Sequence, residues 1–577
     1  MTNTTSTNTT VASGLGDAEV EATVLLGAEE LLGAAAAPTD NFFALGGNSL
    51  LATRFTALLL KRLDGIEVSL NDVFEAPVLK DLIARLHSRA ATTSSQAQAQ
   101  SKQEPAIEQL TAIDEHSREV PSVRATVLGL PGQAIPLTYS QKRRRVRDVS
   151  SSGDRIPHHI SAVLDLSGPV DTTALRLACL DLVDRHASLR TLFRSNEEHH
   201  GASFVDPAEL CLDDLFRIVP AYDHSAQELD GLTEVEATRL FDLARDVKLR
   251  VTLFQRDETN ARLIVTTEHL VADGESFKLL LEDLSTAYAA RQAGAEPDLG
   301  WPDARGRAWG EVEQLLNHER LAANLDYWRS NLDPLEALPE VRLAGMHEPT
   351  SRPTSPAQAV TTISAELVHR LRQWCAENGC GLYSGFLGAL ALSVLANNGS
   401  SVVGVVGPTS IRPEGWEREV AWFSTLSIYR FRINSELAMS EVLRSARATV
   451  LDGISHALPL PLLVDHLQPG RDTVQLWRPW LYLDVQEVSD QPALQLTDVQ
   501  VAEADAELMP ALRPGVSIGI VVGPQSTSVV LQYEVEAWAA PMAEAFSASL
   551  ATSVELLVEG GVTLEGLRTL RERHGFA

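Results

Sequence analysis

A polar, low-complexity segment divides this 577-residue chain into two unequal parts. Residues 89–125 are rich in Ser, Thr, Ala and Gln and show no apolar period. Such a composition is typical of a flexible linker, because it has too few apolar side chains to form a core. About 30 flexible residues have an r.m.s. span of about 30 Å, so we expect the smaller part to be tethered but free to move. The predicted organisation is a disordered tail at 1–18, a small unit at 19–90, a linker at 91–130, and a large unit at 131–577 with lobes at about 131–335 and 336–577.

Charge and apolar patterning exclude several classes of protein. Asp and Glu number 77 against 48 Lys and Arg, which gives a formal net charge of −29. Nucleic acids and anionic membranes recruit basic surfaces, so we expect neither as a partner. The longest apolar run, at 385–396, is too short for a membrane span, and the N-terminus has no signal-peptide pattern, so we expect a cytoplasmic protein. The cysteines follow no metal-ligand spacing, so we expect reduced thiols and no metal at Cys179, Cys211, Cys375 and Cys380.

Apolar periodicity predicts a small all-α bundle of four helices followed by two α/β lobes. In the small unit the predicted helices lie at 18–32, 49–63, 71–74 and 78–86. In the large unit, β-branched strands alternate with amphipathic helices, and this scheme occurs twice. The predicted strands include 160–166, 262–267, 359–363 and 402–406, with a hairpin at 515–522 and 528–535. The predicted helices include 173–186, 276–290, 366–378, 385–396 and 540–558.

The first motif presents a serine at the start of a helix. Residues 40–51 contain two glycines shortly before Ser49, which opens an amphipathic segment. Glycine permits tight turns and close approach by another protein, and a helix N-terminus favours a phosphate. The alternative is that Ser49 is only a helix cap. Taken together, residues 40–51 and 68–77 resemble the attachment region of peptidyl carrier proteins, which implies a 4′-phosphopantetheine covalently bound to Ser49.

The second motif places a histidine at the end of a β-branched strand. Residues 264–277 contain His269, followed four residues later by Asp273 and then Gly274. An imidazole at a strand end is held rigidly, and its ordinary pKa near 6.5 suits proton transfer at neutral pH. The alternative is that His269 has only a structural role.

These residues resemble the HHxxxDG motif of condensation domains from nonribosomal peptide synthetases. Further resemblance to the same family covers 137–141, 185–193, 326–328, 406–412, 422–426 and 471–479. The resemblance implies two chloramphenicol-acetyltransferase-like lobes arranged in a V. It also implies that His269 is catalytic and that Asp273 and Gly274 shape its loop. Asp273 is expected to pair with an arginine, for which Arg185, Arg190 and Arg412 are candidates.

One position departs from the motif, because the first histidine is replaced by Glu268. Neighbouring residues of a strand point to opposite faces, so Glu268 is expected to face away from His269 if the strand persists that far. Activity is then compatible with the replacement, although a degenerate domain stays open. The His158-His159 and His199-His200 doublets lack a following xxxDG, so we expect a surface or packing role for them.

The combined prediction is a carrier–condensation didomain that transfers an acyl or peptidyl thioester to an amine, forming an amide in nonribosomal peptide (antibiotic) biosynthesis. No adenylation motif is present, so the expected partners are an adenylation enzyme acting in trans, a phosphopantetheinyl transferase, and synthetase subunits or an acceptor carrier protein. The alternatives are an inactive recruitment platform and a domain that forms an ester, closes a ring or releases the product. The GxSxG pattern at 515–519 does not indicate a hydrolase, because a strand-like segment rather than a helix follows Ser517.

Overall fold

The structure is a computed structural model that describes most of the chain. The described residues are 17–32, 35–45, 47, 49–63, 66, 68, 72–73, 76–100, 134–150, 158–195, 200–205, 214–300, 309–332, 342–347, 356–413, 416–467, 481–488, 492–504, 515–561 and 563–576. The predicted tail up to residue 16, Cys211, His199 and the whole segment at 471–479 therefore lie outside them.

The small unit is a helical bundle around a buried aromatic pair. Its described helices are α1 (Asp17–Leu32), α2 (Ser49–Arg62) and α3 (Leu79–Gln100). Phe42 and Phe55 stack with ring centroids 4.9 Å apart, and both are fully buried. The short helix predicted at 71–74 is described only at Asp72 and Val73, which are helical.

The predicted linker is wrong over its first ten residues, because α3 continues to Gln100. An established helix extends at little cost through Ala and Gln, which have good helix propensity. Absence of an apolar period therefore excluded a core but did not exclude a helix. The remainder of the predicted linker, 101–130, lies outside the described residues.

The first half of the large unit forms a five-stranded sheet and a small three-stranded sheet. The strands are β1 (Ala134–Ile135), β2 (His159–Ser167), β3 (Thr191–Ser195), β4 (His200–Phe204), β5 (Phe216–Pro220), β6 (Leu249–Gln255) and β7 (Asn260–Glu268). The helices are α4 (Tyr139–Ser150), α5 (Thr172–Arg185), α6 (Ala226–Thr238), α7 (Gly274–Gln292) and α8 (Trp309–Leu332). In the small sheet the order is β1-β4-β3. Helices α5 and α7 bury Leu175, Leu182 and Leu280 in the core of this lobe.

The second half of the large unit is built around a six-stranded sheet. Its strands are β8 (Pro356–Ser364), β9 (Val402–Ser410), β10 (Ser424–Arg432), β11 (Leu481–Glu487), β13 (Val516–Val522) and β14 (Ser526–Glu534), in the order β10-β9-β11-β13-β14-β8. Its helices are α9 (Ala365–Glu377), α10 (Leu382–Asn398), α11 (Met439–Ser455), α12 (Leu460–Leu467), α13 (Ala540–Glu559) and α14 (Thr563–His574). Ser517 lies within β13, as its strand-like sequence predicted.

One strand crosses from the second half of the sequence into the sheet of the first. The strand β12 (Gln500–Glu503) pairs antiparallel with β2, with Gln500 opposite Ser167. The order of the five-stranded sheet is therefore β12-β2-β7-β6-β5. A boundary near residue 335 divides the sequence but not the sheets.

The small unit contacts the second lobe of the large one. The side-chain amide of Asn41 donates a hydrogen bond to the carbonyl of Ala376, at 3.1 Å. Ala376 and Leu451 are also part of the apolar cluster that forms the core of the small unit.

No single helix in the described part of the chain is long and apolar enough to cross a membrane. Helices α9 and α10 pass such a test only as a pair, and they are bent by 106° relative to one another.

Candidate active site

The end of the β2–β7 ladder determines where His269 lies. His159 is opposite Glu268 in the antiparallel register, and Glu268 is the last residue of β7. The ladder continues one step further, because the His269 N–H donates to the carbonyl of His158 at 2.9 Å. Since side chains alternate along a strand, His158 and His269 share one face and His159 and Glu268 the other.

His269 lies in a cluster of three aromatic rings. Its imidazole is nearly parallel to that of His158, with centroids 4.4 Å apart and an interplanar angle of 7°. The indole of Trp422 lies 4.8 Å from His269 and 5.7 Å from His158. All three side chains are half-buried. We call His158, His269 and Trp422 the His–Trp cluster.

Trp422 is held in place by hydrogen bonds at both its side chain and its backbone. Its indole N–H donates to Ser424 Oγ at 3.1 Å, and its carbonyl accepts from the indole N–H of Trp309 at 3.2 Å. Trp309 begins α8 and is buried. The last helix of the first half therefore fixes a residue of the second half against His269.

Asp273 joins the His269 loop to the segment that contains Trp422. It caps α7, with Oδ1 accepting from the Ser276 N–H at 2.9 Å. Its Oδ2 accepts from the Phe423 N–H, also at 2.9 Å. The Ser276 hydroxyl in turn donates to the Ala421 carbonyl at 2.7 Å. The Asp-Gly turn thus contacts both neighbours of Trp422.

Arg412 is the arginine nearest to Asp273 among the three candidates. Its Nη2 lies 3.5 Å from Asp273 Oδ1, and both side chains are 4% exposed. Its guanidinium also donates to the carbonyls of Trp416 and Glu419 and lies 4.0 Å from the centre of the Phe423 ring. Arg412 therefore organises the described backbone of segment 412–423, which is residues 412–413 and 416–423.

The other two candidate arginines have different partners. Arg185 donates to the carbonyls of Leu299 and Arg418, at 2.9 and 3.4 Å. Arg190 donates to the carbonyls of Val183 and Val205, at 2.9 and 3.1 Å. Both arginines therefore stabilise the first lobe, and Arg185 also joins it to the 412–423 segment.

A second ion pair ties the same segment to α7. Arg418 pairs with Asp283 of α7, whose other oxygen lies 2.9 Å from His186 Nε2. His186 is fully buried, and burial lowers its pKa despite the opposing effect of Asp283. The His186–Asp283 contact is buried and Arg418 reaches it from an exposed position, and none of the three residues belongs to the His–Trp cluster, so we assign them a structural role.

Gly274 begins α7 and leaves open space beside the turn. A Cβ added there would meet no heavy atom within 4 Å. Packing alone therefore does not require glycine at this position, and the absence of a side chain keeps the start of α7 unobstructed.

Glu268 is accommodated by cationic and polar neighbours on the face opposite the cluster. Its Oε2 lies 3.5 Å from His159 Nε2, and each side chain is 3% exposed. Lys248, which is fully buried, is also close enough to interact electrostatically. Burial lowers the pKa of Lys248 to about 8, and the carboxylates of Asp246 and Glu268 oppose that shift. His159 and Lys248 thus accommodate the carboxylate of Glu268 at the position where the motif has a histidine.

The first-motif loop ends where α2 begins, at Ser49. A Cβ on Gly47 would lie 2.4 Å from the Phe42 ring and 2.6 Å from its carbonyl oxygen, so only glycine fits. The Gly47 N–H donates to that same carbonyl at 3.0 Å. The buried Phe42 therefore fixes the loop and places Ser49 at the N-terminus of a 14-residue helix, a position that suits a phosphate ester. The side chain of Ser49 lies outside the described part.

Sequence reasoning missed two residues of the cluster. The His158-His159 doublet was expected to have only a surface or packing role. That holds for His159, whose ring packs edge-on against Phe241 at 5.0 Å, but His158 stacks on His269. Trp422 was noted only as part of a family resemblance. The β2–β7 register would have revealed His158, but that register depends on pairing across more than 100 residues.

Comparison with known proteins gives two family matches and many relatives. Residues 24–86 match the phosphopantetheine attachment site family, and residues 132–560 match the condensation domain family. The chain is 30% identical over 447 residues to a probable non-canonical nonribosomal peptide synthetase, CymA, of Salinispora arenicola. That alignment covers 75% of this chain and 5% of the synthetase, so the chain spans a small part of that relative.

Solved structures share the fold at lower identity. The X-domain from teicoplanin biosynthesis superimposes with a TM-score of 0.63 and 21% identity, covering 75% of this chain and 97% of the X-domain. A complex of the X-domain and OxyB from the same biosynthesis gives a TM-score of 0.62 at 21% identity, covering 74% of this chain and 94% of that one. At this identity the likeness establishes the chloramphenicol-acetyltransferase-like fold alone.

Proposed function

The chain belongs to the condensation domain family, preceded by a phosphopantetheine attachment domain, and on that premise we propose that it forms an amide between a carrier-bound acyl group and an amine supplied in trans. Members of this family generally catalyse amide-bond formation. The observation that supports activity here is the position of His269, half-buried between His158 and Trp422 on an ordered turn.

Ser49 is the proposed attachment residue. It begins α2 directly after the loop that Gly47 and Phe42 fix, which fits a phosphate-linked group at a helix N-terminus. The arm, when bound, presents the acyl group as a thioester. We propose that a phosphopantetheinyl transferase installs the arm and that an adenylation enzyme loads it.

His269 is the proposed proton acceptor. Its Nδ1 is buried, so Nε2 is the nitrogen proposed to take the proton that the attacking amine loses. An α-amine has a pKa near 8, so a sizeable fraction is neutral at pH 7.5 and no strong base is needed. Positioning of the two reactants supplies much of the remaining acceleration. Asp273, through Phe423 and Ser276, keeps the turn and Trp422 in register.

A single-turnover assay tests this proposal. The carrier is loaded with an acyl-phosphopantetheine group, and intact-protein mass spectrometry follows loss of the acyl mass with amine and alcohol acceptors. We expect transfer by the wild type, loss of most transfer in His269→Ala, and no loading of Ser49→Ala. The matched control is His369→Ala, because His369 is exposed on α9. Equal transfer by wild type and His269→Ala would remove His269 from the mechanism.

A recruitment platform is the second candidate, and Glu268 is the observation that favours it. The family landmark at this position is absent, and an X-domain of the same fold occurs in a complex with OxyB. On this reading the chain binds a tailoring enzyme or a neighbouring subunit without acyl transfer. Wild-type protein that transfers to no acceptor, yet retains such a partner in binding assays regardless of His269→Ala, would favour the platform.

A further inference from the structure

We propose that His158 is a positioning residue for His269: its stacked imidazole fixes the ring of His269 and opposes the addition of a second proton to the pair. This inference rests on the proposed function, in which His269 accepts a proton. It concerns a residue that the HHxxxDG motif does not include, since His158 directly precedes β2, more than 100 residues earlier in the sequence.

The stacking geometry is set by the backbone. The His269 N–H donates to the His158 carbonyl, so the two residues occupy paired positions at the end of an antiparallel ladder. Their rings are 4.4 Å apart and within 7° of parallel, which leaves His269 few alternative rotamers on that side. Trp422 limits it on another side, at 4.8 Å. Removal of the His158 ring would therefore release the catalytic imidazole without breaking the ladder.

The opposite face of the ladder fixes these paired positions. There His159 and Glu268 form a buried contact at 3.5 Å, and the Glu268 N–H donates to the carbonyl of Lys248 at 3.3 Å. Contacts on the His159–Glu268 face thus hold the two strand ends together, while His158 and His269 stack on the other face. The family motif has two consecutive histidines at this strand end. In this chain the same strand end has Glu268 and His269, and each is paired with a histidine across the ladder.

The same stacking affects protonation. Two imidazolium rings 4.4 Å apart repel, so protonation of one disfavours protonation of the other. Trp422 contacts both rings, edge-on to His158 and tilted against His269, and brings no charge of its own to the pair. Ionisable groups on the packed elements include His159, Glu268 and Lys248 on the opposite face, and Asp273, Glu275 and Arg412 at the turn.

Two variants separate the effects of the ring and of its charge. His158→Phe keeps a planar ring against His269 but cannot be protonated, whereas His158→Ala removes both. In the acyl-transfer assay we expect His158→Ala to lower the rate constant about tenfold or more at saturating acceptor, with His158→Phe within about threefold of wild type. The exposed His369→Ala serves again as the matched control. A His158→Ala protein as fast as wild type would overturn the positioning role.

Protonation is measured independently of activity. The full chain, labelled at histidine Cε1, is titrated by NMR, and the His269 signal is assigned from His269→Ala. We expect the His269 midpoint to be higher by about one pH unit in His158→Phe than in wild type, because the repelling charge is gone. If the wild type transfers the acyl group, the acidic limb of the pH–rate profile of His158→Phe should be displaced from that of the wild type by the same amount. An identical midpoint in both proteins overturns the proposed coupling.

Failure of the two proposals can be distinguished. Wild-type protein without acyl transfer contradicts the proposed function, but the NMR titration still shows whether His158 controls His269. Conversely, a transferring wild type with unchanged rate and midpoint in both His158 variants contradicts only the role of His158.

Discussion

Asp273 connects the proposed reaction site to the second half of the chain, so its replacement gives a sharp test of the site's construction. Each of its oxygens accepts one backbone N–H at 2.9 Å, from Ser276 and from Phe423. Both bonds are charge-assisted and buried, and each such bond contributes about 1.5–3 kcal/mol. Asp273→Ala loses both, or about 3–6 kcal/mol. Asp273→Asn keeps one acceptor oxygen and loses about half of that.

The appropriate measurement is local, because a chain with several units need not unfold in a two-state transition. Hydrogen exchange of the Phe423 amide reports opening of the segment that contains Trp422. Since each 1.4 kcal/mol is a factor of ten, we expect this amide to exchange at least about 100-fold faster in Asp273→Ala and about tenfold faster in Asp273→Asn. Acyl transfer should fall in the same order, because Trp422 loses its place beside His269.

A matched control is available in another helix cap. Asp171 caps α5 by accepting from the Thr173 and Ala174 amides, and its own N–H donates to the Tyr288 hydroxyl on α7, within the first lobe. Asp171→Asn should therefore accelerate exchange only at the start of α5. If the Phe423 amide exchanges at the wild-type rate in Asp273→Ala, the bond does not hold the segment, and the structural reasoning is refuted.

Three further predictions concern groups outside this turn. Burial raises the pKa of Glu313 to about 7 from its ordinary 4.5, so its stability cost appears as pH rises through that interval. The local stability of α8, measured by hydrogen exchange of its amides, should be higher in Glu313→Gln than in wild type by about 3 kcal/mol at pH 8 and about 1 kcal/mol at pH 5.5, and a difference that does not change with pH would contradict the buried carboxyl. For the Glu268–His159 contact, a double-mutant cycle to glutamine should give a coupling of about 1 kcal/mol or more, and additive effects would show that the contact is inert. Gly47→Ala should slow phosphopantetheine attachment more than tenfold by intact mass, because the added Cβ collides with Phe42, and attachment at the wild-type rate would show that the loop is not fixed.

Local sequence determined much of the fold. Helices α1, α2 and α10 were predicted within a few residues, because each contains apolar residues at helical spacing or throughout. Ser517 was correctly placed in a strand, since β-branched residues follow it. His269 and the Asp-Gly turn were singled out from fourteen consecutive residues, 264–277; the structure has His269 directly after β7 and Asp273 as the cap of α7, and their role in a reaction stays a prediction.

Features that depend on distant pairing were not predictable from one sequence. The strand β12 joins a sheet formed by residues more than 230 positions earlier, and its four residues have no distinctive pattern. The choice among three arginines likewise depends on the path of the chain after β9, which brings Arg412 to Asp273. In each case the local pattern permits several tertiary partners, and only the fold selects one.

The replacement of the first motif histidine by Glu268 shows both what the local sequence predicts and what depends on distant pairing. Alternation along β7 correctly predicted that Glu268 faces away from His269, because the two side chains lie on opposite faces of the same ladder. The same alternation applied to β2 places His159 against Glu268 and His158 against His269, but only once the register of the two strands is known. A lost imidazole at one position and an unexplained histidine doublet at another are therefore parts of one arrangement. The departure from the motif need not indicate a degenerate site, because imidazoles from the neighbouring strand occupy both faces of the ladder end.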